Sequence, residues 1–203
     1  MIQEEIKRIG KLFKLNPRFK KNGELYKNSY KAFQDKVDWD YISYYQELSE
    51  EFIEKFQDKI SWYYISSYKK LSEEFIEKFQ DKVYWHYISY YQELSEEFIE
   101  KFQKKVNWYN ISYEQKLSEG FIERFQDKVY WHYISSEQKL SEGFVERFQN
   151  KVNWKNISYY QKLSGEFIRK FYHKIDFNEL FKNKNISEEI KNKYKLIKNV
   201  IES

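Results

Sequence analysis

An all-α fold, an α-solenoid of tandem short helical hairpins with a 23-residue period, is what this sequence predicts, on three observations. All six tryptophans (Trp39, Trp62, Trp85, Trp108, Trp131 and Trp154) lie 23 residues apart. Leucines keep the same step, from Leu48 through Leu71, Leu94, Leu117 and Leu140 to Leu163. Apolar residues inside each unit follow helical rather than alternating spacing. A fixed period of about 20–50 residues outranks any local motif as a sign of architecture.

Each predicted element has its own warrant. In Ser49–Lys59, Ser49 suits an N-cap, and Glu50 and Glu51 place negative charge at the positive helix end. Phe52, Ile53, Phe56 and Ile60 then fall on one helical face. In the next segment Trp39, Ile42, Ser43 and Gln46 sit at i, i+3, i+4 and i+7. Its cap position holds Asp38, Ser61, Asn107 and Asn153, but also Tyr84 and Tyr130, which cannot cap. The hairpin is expected to have about ten plus eight residues, too short to be stable alone. Stacking of Phe, Ile, Val, Trp and Leu from unit to unit must therefore supply the stability.

The cadence organises the whole chain. Residues 1–24 read as a degenerate capping repeat whose Ile2, Ile6, Ile9, Leu12 and Phe13 form an amphipathic helix, with Asn16-Pro17 starting a second helix. A membrane-surface role is the alternative for that basic helix. Residues 25–185 are tandem repeats, and 186–203 a C-terminal capping helix, in one continuous solenoid. Asp81–Ser89 and Asp127–Ser135 are identical, and Asn110 and Asn156 keep the same spacing of two periods, as if a two-unit block had been duplicated.

The unit W-x-x-I-S-x-x-Q-x-L-S-E-x-F-I-x-x-F-Q-D-K-V resembles the 23-residue helical repeats of large DNA viruses, phages and AT-rich bacteria. The resemblance implies a solenoid fold and carries over no catalytic residue. It also implies a viral or phage-like protein that sequesters or inhibits a host factor. Lys69 departs from the pattern at a Gln position, and Gly120, Gly143 and Gly165 do so at Glu positions.

Composition excludes several classes of chemistry. The chain of 203 residues has no cysteine, hence no disulfide, thiolate ligand or cysteine nucleophile. No apolar run approaches the roughly 20 residues of a membrane span, and no secretory signal is visible, so a cytoplasmic protein is expected. His86 and His132 occupy equivalent positions two units apart and are not placed to share a metal. No metal or cofactor is expected. The repeated Ser43 position lacks a nearby base in most units, so the chain is read as no enzyme. Glu50, Glu51 and Glu54 read as a solvated face.

The informative positions are those that vary between units. Asp40, Tyr63, His86, Tyr109, His132 and Lys155 follow the tryptophans. Tyr44, Tyr68, Tyr90, Tyr113 and Tyr159 follow the Ile-Ser pairs. A variable, tyrosine-rich ridge on an unvarying frame suits a non-catalytic scaffold that binds a protein partner. The alternative is RNA or single-stranded DNA stacked on the tyrosines, with Lys36, Lys59, Lys82, Lys105, Lys128, Lys151 and Lys174 as a phosphate row. Tyrosines of the Tyr41 and Tyr45 rows that merely pack on the next unit would be the bland explanation.

Overall fold

A computed structural model of the chain describes residues 2–202, with side chains through 197. It divides into two compact units, Met1–Val106 and Asn107–Ser203. Both belong to the α-solenoid class, built from short helical hairpins that repeat every 23 residues.

In the first unit, α1 (Ile2–Leu12) and α2 (Lys27–Lys36) precede α3 (Trp39–Tyr45), α4 (Glu50–Lys55), α5 (Trp62–Tyr68), α6 (Glu73–Lys78), α7 (Trp85–Tyr91) and α8 (Glu96–Lys101). The odd members α3, α5 and α7 stack on one another in sequence. Helices α4, α6 and α8 have six residues, not the ten the periodicity predicts. Each starts on a serine whose Oγ accepts the N–H three residues on, as Ser49 does from Phe52 at 3.2 Å. Each ends where a phenylalanine leaves helical geometry; Phe56 has ψ 26°. The apolar period survives that break because Ile60 still donates its amide N–H to the Phe56 carbonyl. Helical spacing in sequence therefore outlasts the helix itself.

The segment after α1 departs from expectation. Pro17 opens no helix; the chain there is extended, and an isolated antiparallel bridge joins Phe19 to Leu25. Gly23 turns this loop at φ 87°, a conformation that disfavours a side chain. Pro17 instead packs over Gly10, where an added Cβ would lie 2.9 Å from its Cγ. Helix α1 packs on α4, burying Ile6 and Ile9. Its Glu5 accepts the Ser49 amide N–H at 2.9 Å.

The second unit repeats the plan with α9 (Trp108–Glu114), α10 (Glu119–Arg124), α11 (Trp131–Glu137), α12 (Glu142–Arg147), α13 (Trp154–Tyr160), α14 (Gly165–Lys170), the single-turn α15 (Phe177–Leu180) and α16 (Glu188–Glu202). Leu180 takes the buried isoleucine's place, and Tyr194 of α16 donates its hydroxyl to the Gly165 carbonyl at 2.8 Å.

Packing and polar ties hold the hairpins together. Ile42, Phe52, Ile53 and Phe56 are fully or almost fully buried, as are the counterparts of the first three in the second unit, while Phe148, in the Phe56 place, is half-buried. Each such side chain contributes roughly 1.5–3 kcal/mol. Every tryptophan ring lies against the phenylalanine that ends the helix after its own, at 5.1 Å for Trp39–Phe56 and 5.2 Å for Trp154–Phe171. The indole N–H closes the end of the helix before it: Trp62 donates to the Gln57 carbonyl and Trp131 to that of Gln126, both at 2.9 Å.

The recurrent serine is a tie between hairpins. Ser43 is fully buried, donates to the Trp39 carbonyl at 2.6 Å, and accepts the Ser61 amide N–H of the next hairpin at 3.0 Å. Ser135 does the same with Trp131 and Asn153. The recurrent glutamine is a second tie: Gln92 accepts from the Leu71 amide at 3.0 Å and donates to the Lys69 carbonyl at 2.7 Å. Among the described residues no buried side-chain nitrogen or oxygen lacks a partner.

Glu51 and Glu54 are exposed, as a solvated face requires, but the face is also bonded. Glu50 receives both the amide and the hydroxyl of Ser72, and Glu54 pairs with Lys78. These carboxylates join successive hairpins.

Candidate functional site: a tyrosine ridge

Helices α3, α5 and α7 each have seven residues, so only one face can be core. Ile42, Ser43, Ile65, Ser66, Ile88 and Ser89 take it. The residues directly after the tryptophans therefore point away, as do the tyrosines after the Ile-Ser pairs, whereas Ser67, in the Tyr44 place of α5, is buried. Asp40, Tyr44, Tyr63, Tyr68, His86 and Tyr90 are all exposed in the first unit. Tyr109, Tyr113, His132, Lys155 and Tyr159 are exposed in the second.

In the first unit the tyrosines touch in an unbroken sheet of rings. Along the outer row Tyr45 meets Tyr44 at 4.5 Å, Tyr44 meets Tyr68 at 4.8 Å, and Tyr68 meets Tyr91 at 6.4 Å. Along the inner row Tyr44 meets Tyr64, Tyr64 meets Tyr63, and Tyr63 meets Tyr87 at 5.0 Å. The bland explanation holds only for part of this surface. Tyr64 and Tyr87 are half-buried between neighbours, whereas Tyr45, Tyr68 and Tyr91 are 66%, 52% and 53% exposed. Close contact raises the pKa of these hydroxyls: Tyr68 by loss of water and by its neighbours, Tyr87 chiefly through its hydrogen bond with Tyr63.

The second unit carries a sparser version. Tyr109 meets Tyr130 and Tyr133, Tyr113 meets Tyr133, and Tyr159 meets Tyr160 as a separate pair. Glu114, Ser136 and Glu137 interrupt the outer row. The hydroxyls of Tyr133 and Tyr109 share a hydrogen bond that helps push Tyr133 up to about 12.

Two residues on this surface, Tyr84 and Tyr130, escape a reading based on variable positions alone, since they sit at helix caps. Their signal in the sequence is the failure of the cap. Each lays its ring beside a ridge tyrosine of the previous hairpin, Tyr63–Tyr84 at 6.0 Å and Tyr109–Tyr130 at 5.5 Å.

The electrostatics are nearly neutral. Lys69 is buried and donates to the Tyr44 carbonyl at 3.0 Å, and burial holds its ammonium below the usual range. In the row of lysines considered for phosphate, three are engaged by carboxylates, Lys82 with Asp58, Lys105 with Asp81 and Lys151 with Asp127, at 2.8–2.9 Å, and Lys174 donates to the side chains of Gln149 and Asn150. Lys82, Lys105 and Lys151 also lie over the faces of Trp62, Trp85 and Trp131. Among the described residues no group of three His, Cys, Asp or Glu side chains is placed to hold a metal ion. Asn110, of the first Asn-Ile-Ser tripeptide, is buried. No helix among them is long and apolar enough to cross a membrane.

Comparison with protein-family models, curated proteins and solved structures finds no match to this chain.

Proposed function

We propose that this protein is a non-catalytic repeat scaffold that binds a protein partner through the tyrosine ridge. The observation that carries the reading is the contrast between an invariant frame and this variable aromatic surface. Every recurrent polar residue of the frame is consumed by backbone or inter-hairpin bonds, so the serines are not available as nucleophiles. The ridge presents large rigid rings with hydroxyl handles, which give contact area at low entropic cost. Sequestration of a host factor by a viral or phage-like protein in the cytoplasm is the setting that the repeat pattern suggests.

Nucleic-acid binding is the weaker reading, because Lys82, Lys105 and Lys151, at the middle of the row that would meet phosphates, already pair with aspartates. Affinity capture from a native lysate tests both. Replacing Tyr44, Tyr68, Tyr90 and Tyr113 by Ser should remove co-purifying protein while the helical circular dichroism persists. Unchanged protein partners would overturn the proposal; co-purifying RNA lost steeply with added salt would replace it with the other.

A further inference from the structure

The tyrosines at the helix caps mark a built subsite. Helices α3, α9 and α13 begin on Asp38, Asn107 and Asn153, whose side chains accept a first-turn N–H. Tyr84 and Tyr130 occupy the same cap with nearly the same backbone, φ −90° and ψ 98° against −87° and 105° at Asn107. The cap geometry is thus in place and the capping side chain is not. Ser61 also makes no cap bond, though its hydroxyl is of the right kind.

What replaces the cap in both cases is a ring contact with a tyrosine of the preceding hairpin. Tyr84 closes a triad with Tyr63 and Tyr87, with centroids 5.0–6.3 Å apart. Tyr130 contacts Tyr109, which contacts Tyr133 at 4.8 Å. In the sequence a tyrosine follows the tryptophan at 63 and at 109, and the cap tyrosine then follows at 84 and at 130. A residue that gives up a local stabilising role to join its neighbour's rings is the kind expected at a functional surface, and the duplicated block carries it into the second unit.

The chemistry of the triad narrows its ligand. In the first unit it borders a shallow groove of about 660 Å³ floored by Ile60, Trp62 and Val83. Asp58 and Asp81 on its rim are neutralised by Lys82 and Lys105, so neither a phosphate nor a lone cation meets an unopposed charge. Among the described residues the hydroxyls of Tyr84 and Tyr130 have no hydrogen-bond partner and are free to donate. The surface therefore offers ring faces and O–H donors in a neutral setting. A polyproline II segment supplies the complement: apolar rings, carbonyls unused by any internal hydrogen bond, and a conformation already extended before binding.

We infer that the Tyr63/Tyr84/Tyr87 and Tyr109/Tyr130/Tyr133 triads are two equivalent docking points for a proline-rich segment of the protein partner. This rests on the protein-binding reading of the ridge and names its ligand class.

Calorimetric titration of the full chain with a proline-rich peptide of roughly twelve residues, about four polyproline turns, tests it, with a glycine-serine peptide of equal length and charge as control. Two proline-rich peptides should bind per chain. Tyr84→Asn or Tyr130→Asn should each leave one site, and the double variant none. Because asparagine is the native cap at Asn107 and Asn153, these variants should melt no lower than the wild type, so lost binding is not lost folding. Equal binding of the two wild-type peptides, or a double variant that binds like wild type, would overturn the inference. If the proline-rich peptide fails while the four-serine ridge variant still loses its captured protein, the ligand class is wrong and the ridge reading stands. If that variant keeps its partners, the ridge reading itself falls.

Discussion

The two units share one frame and wear different surfaces. Ser43 and Ser135 make the same pair of bonds, and Gln92 and Gln138 bridge their neighbours in the same way. On the ridge, by contrast, Tyr68 and Tyr91 of the first unit give way to Glu114 and Glu137 in the second. The triads centred on Tyr63 and Tyr109 survive in both. Residues bonded to backbone cannot vary without leaving a buried group unpaired, which costs about 1–3 kcal/mol. Ridge residues carry no such penalty. The difference between the units therefore separates positions that hold the fold from positions free to be shaped by a ligand.

If that separation is right, the largest losses come from the core and are alike in both units. Ile65→Ala and Ile134→Ala, each at a fully buried site, should each lower stability by about 2–5 kcal/mol in denaturant titration. An appreciably smaller loss in one unit would mean that the two cores are not equivalent. Ser43→Ala and Ser135→Ala come next, at about 1–3 kcal/mol, because each leaves the amide of Ser61 or Asn153 without its acceptor.

Lys69→Gln sharpens the comparison in the other direction. Lysine has no acceptor, so the Leu48 amide goes without the bond that Leu71, Leu117 and Leu140 receive from glutamine. Restoring glutamine should stabilise the first unit by about 1 kcal/mol. Burial also holds the folded Lys69 below its ordinary 10.5. The unfolded chain then binds the extra proton, so wild-type stability rises as pH climbs from the folded value toward 10.5. The glutamine variant should lack this rise in pH-dependent melting.

The smallest effect is local to the second unit. Tyr133 is held above its ordinary value of 10.0, to about 12, mainly by Tyr109. Its proton is retained by the folded chain, so the associated stability is complete below pH 10 and fades as pH rises toward 12. Tyr109→Phe should bring tyrosinate absorbance in earlier within that window.

Much of this was legible in the sequence, and the gaps have physical causes. The spacing of Trp39, Leu48 and Phe52 fixed the period and the core because burial imposes a strict pattern. Helix length was overestimated because Ile60 keeps helical register across a turn. Glu50 looked solvated because its partner, Ser72, lies 22 residues on, where only the stacking of hairpins brings it close. Pro17 looked like a helix start because the loop it anchors over Gly10 has no period. Of the ridge, the exposed positions could be read from their variability. The ring contacts between hairpins and the roles of Tyr84 and Tyr130 could not, since they depend on which faces meet.

The claim that frame and ridge are separable is tested most directly by thermal unfolding of single ridge and frame variants side by side. Tyr68→Ser and Tyr90→Ser should each lower the midpoint by no more than roughly 2–4 °C, the equivalent of about 1 kcal/mol at this chain length. Ile88→Ala, from the same helix as Tyr90, should lower it several-fold more. Ridge substitutions as damaging as Ile88→Ala would show that the tyrosines are packing, and would contradict the account.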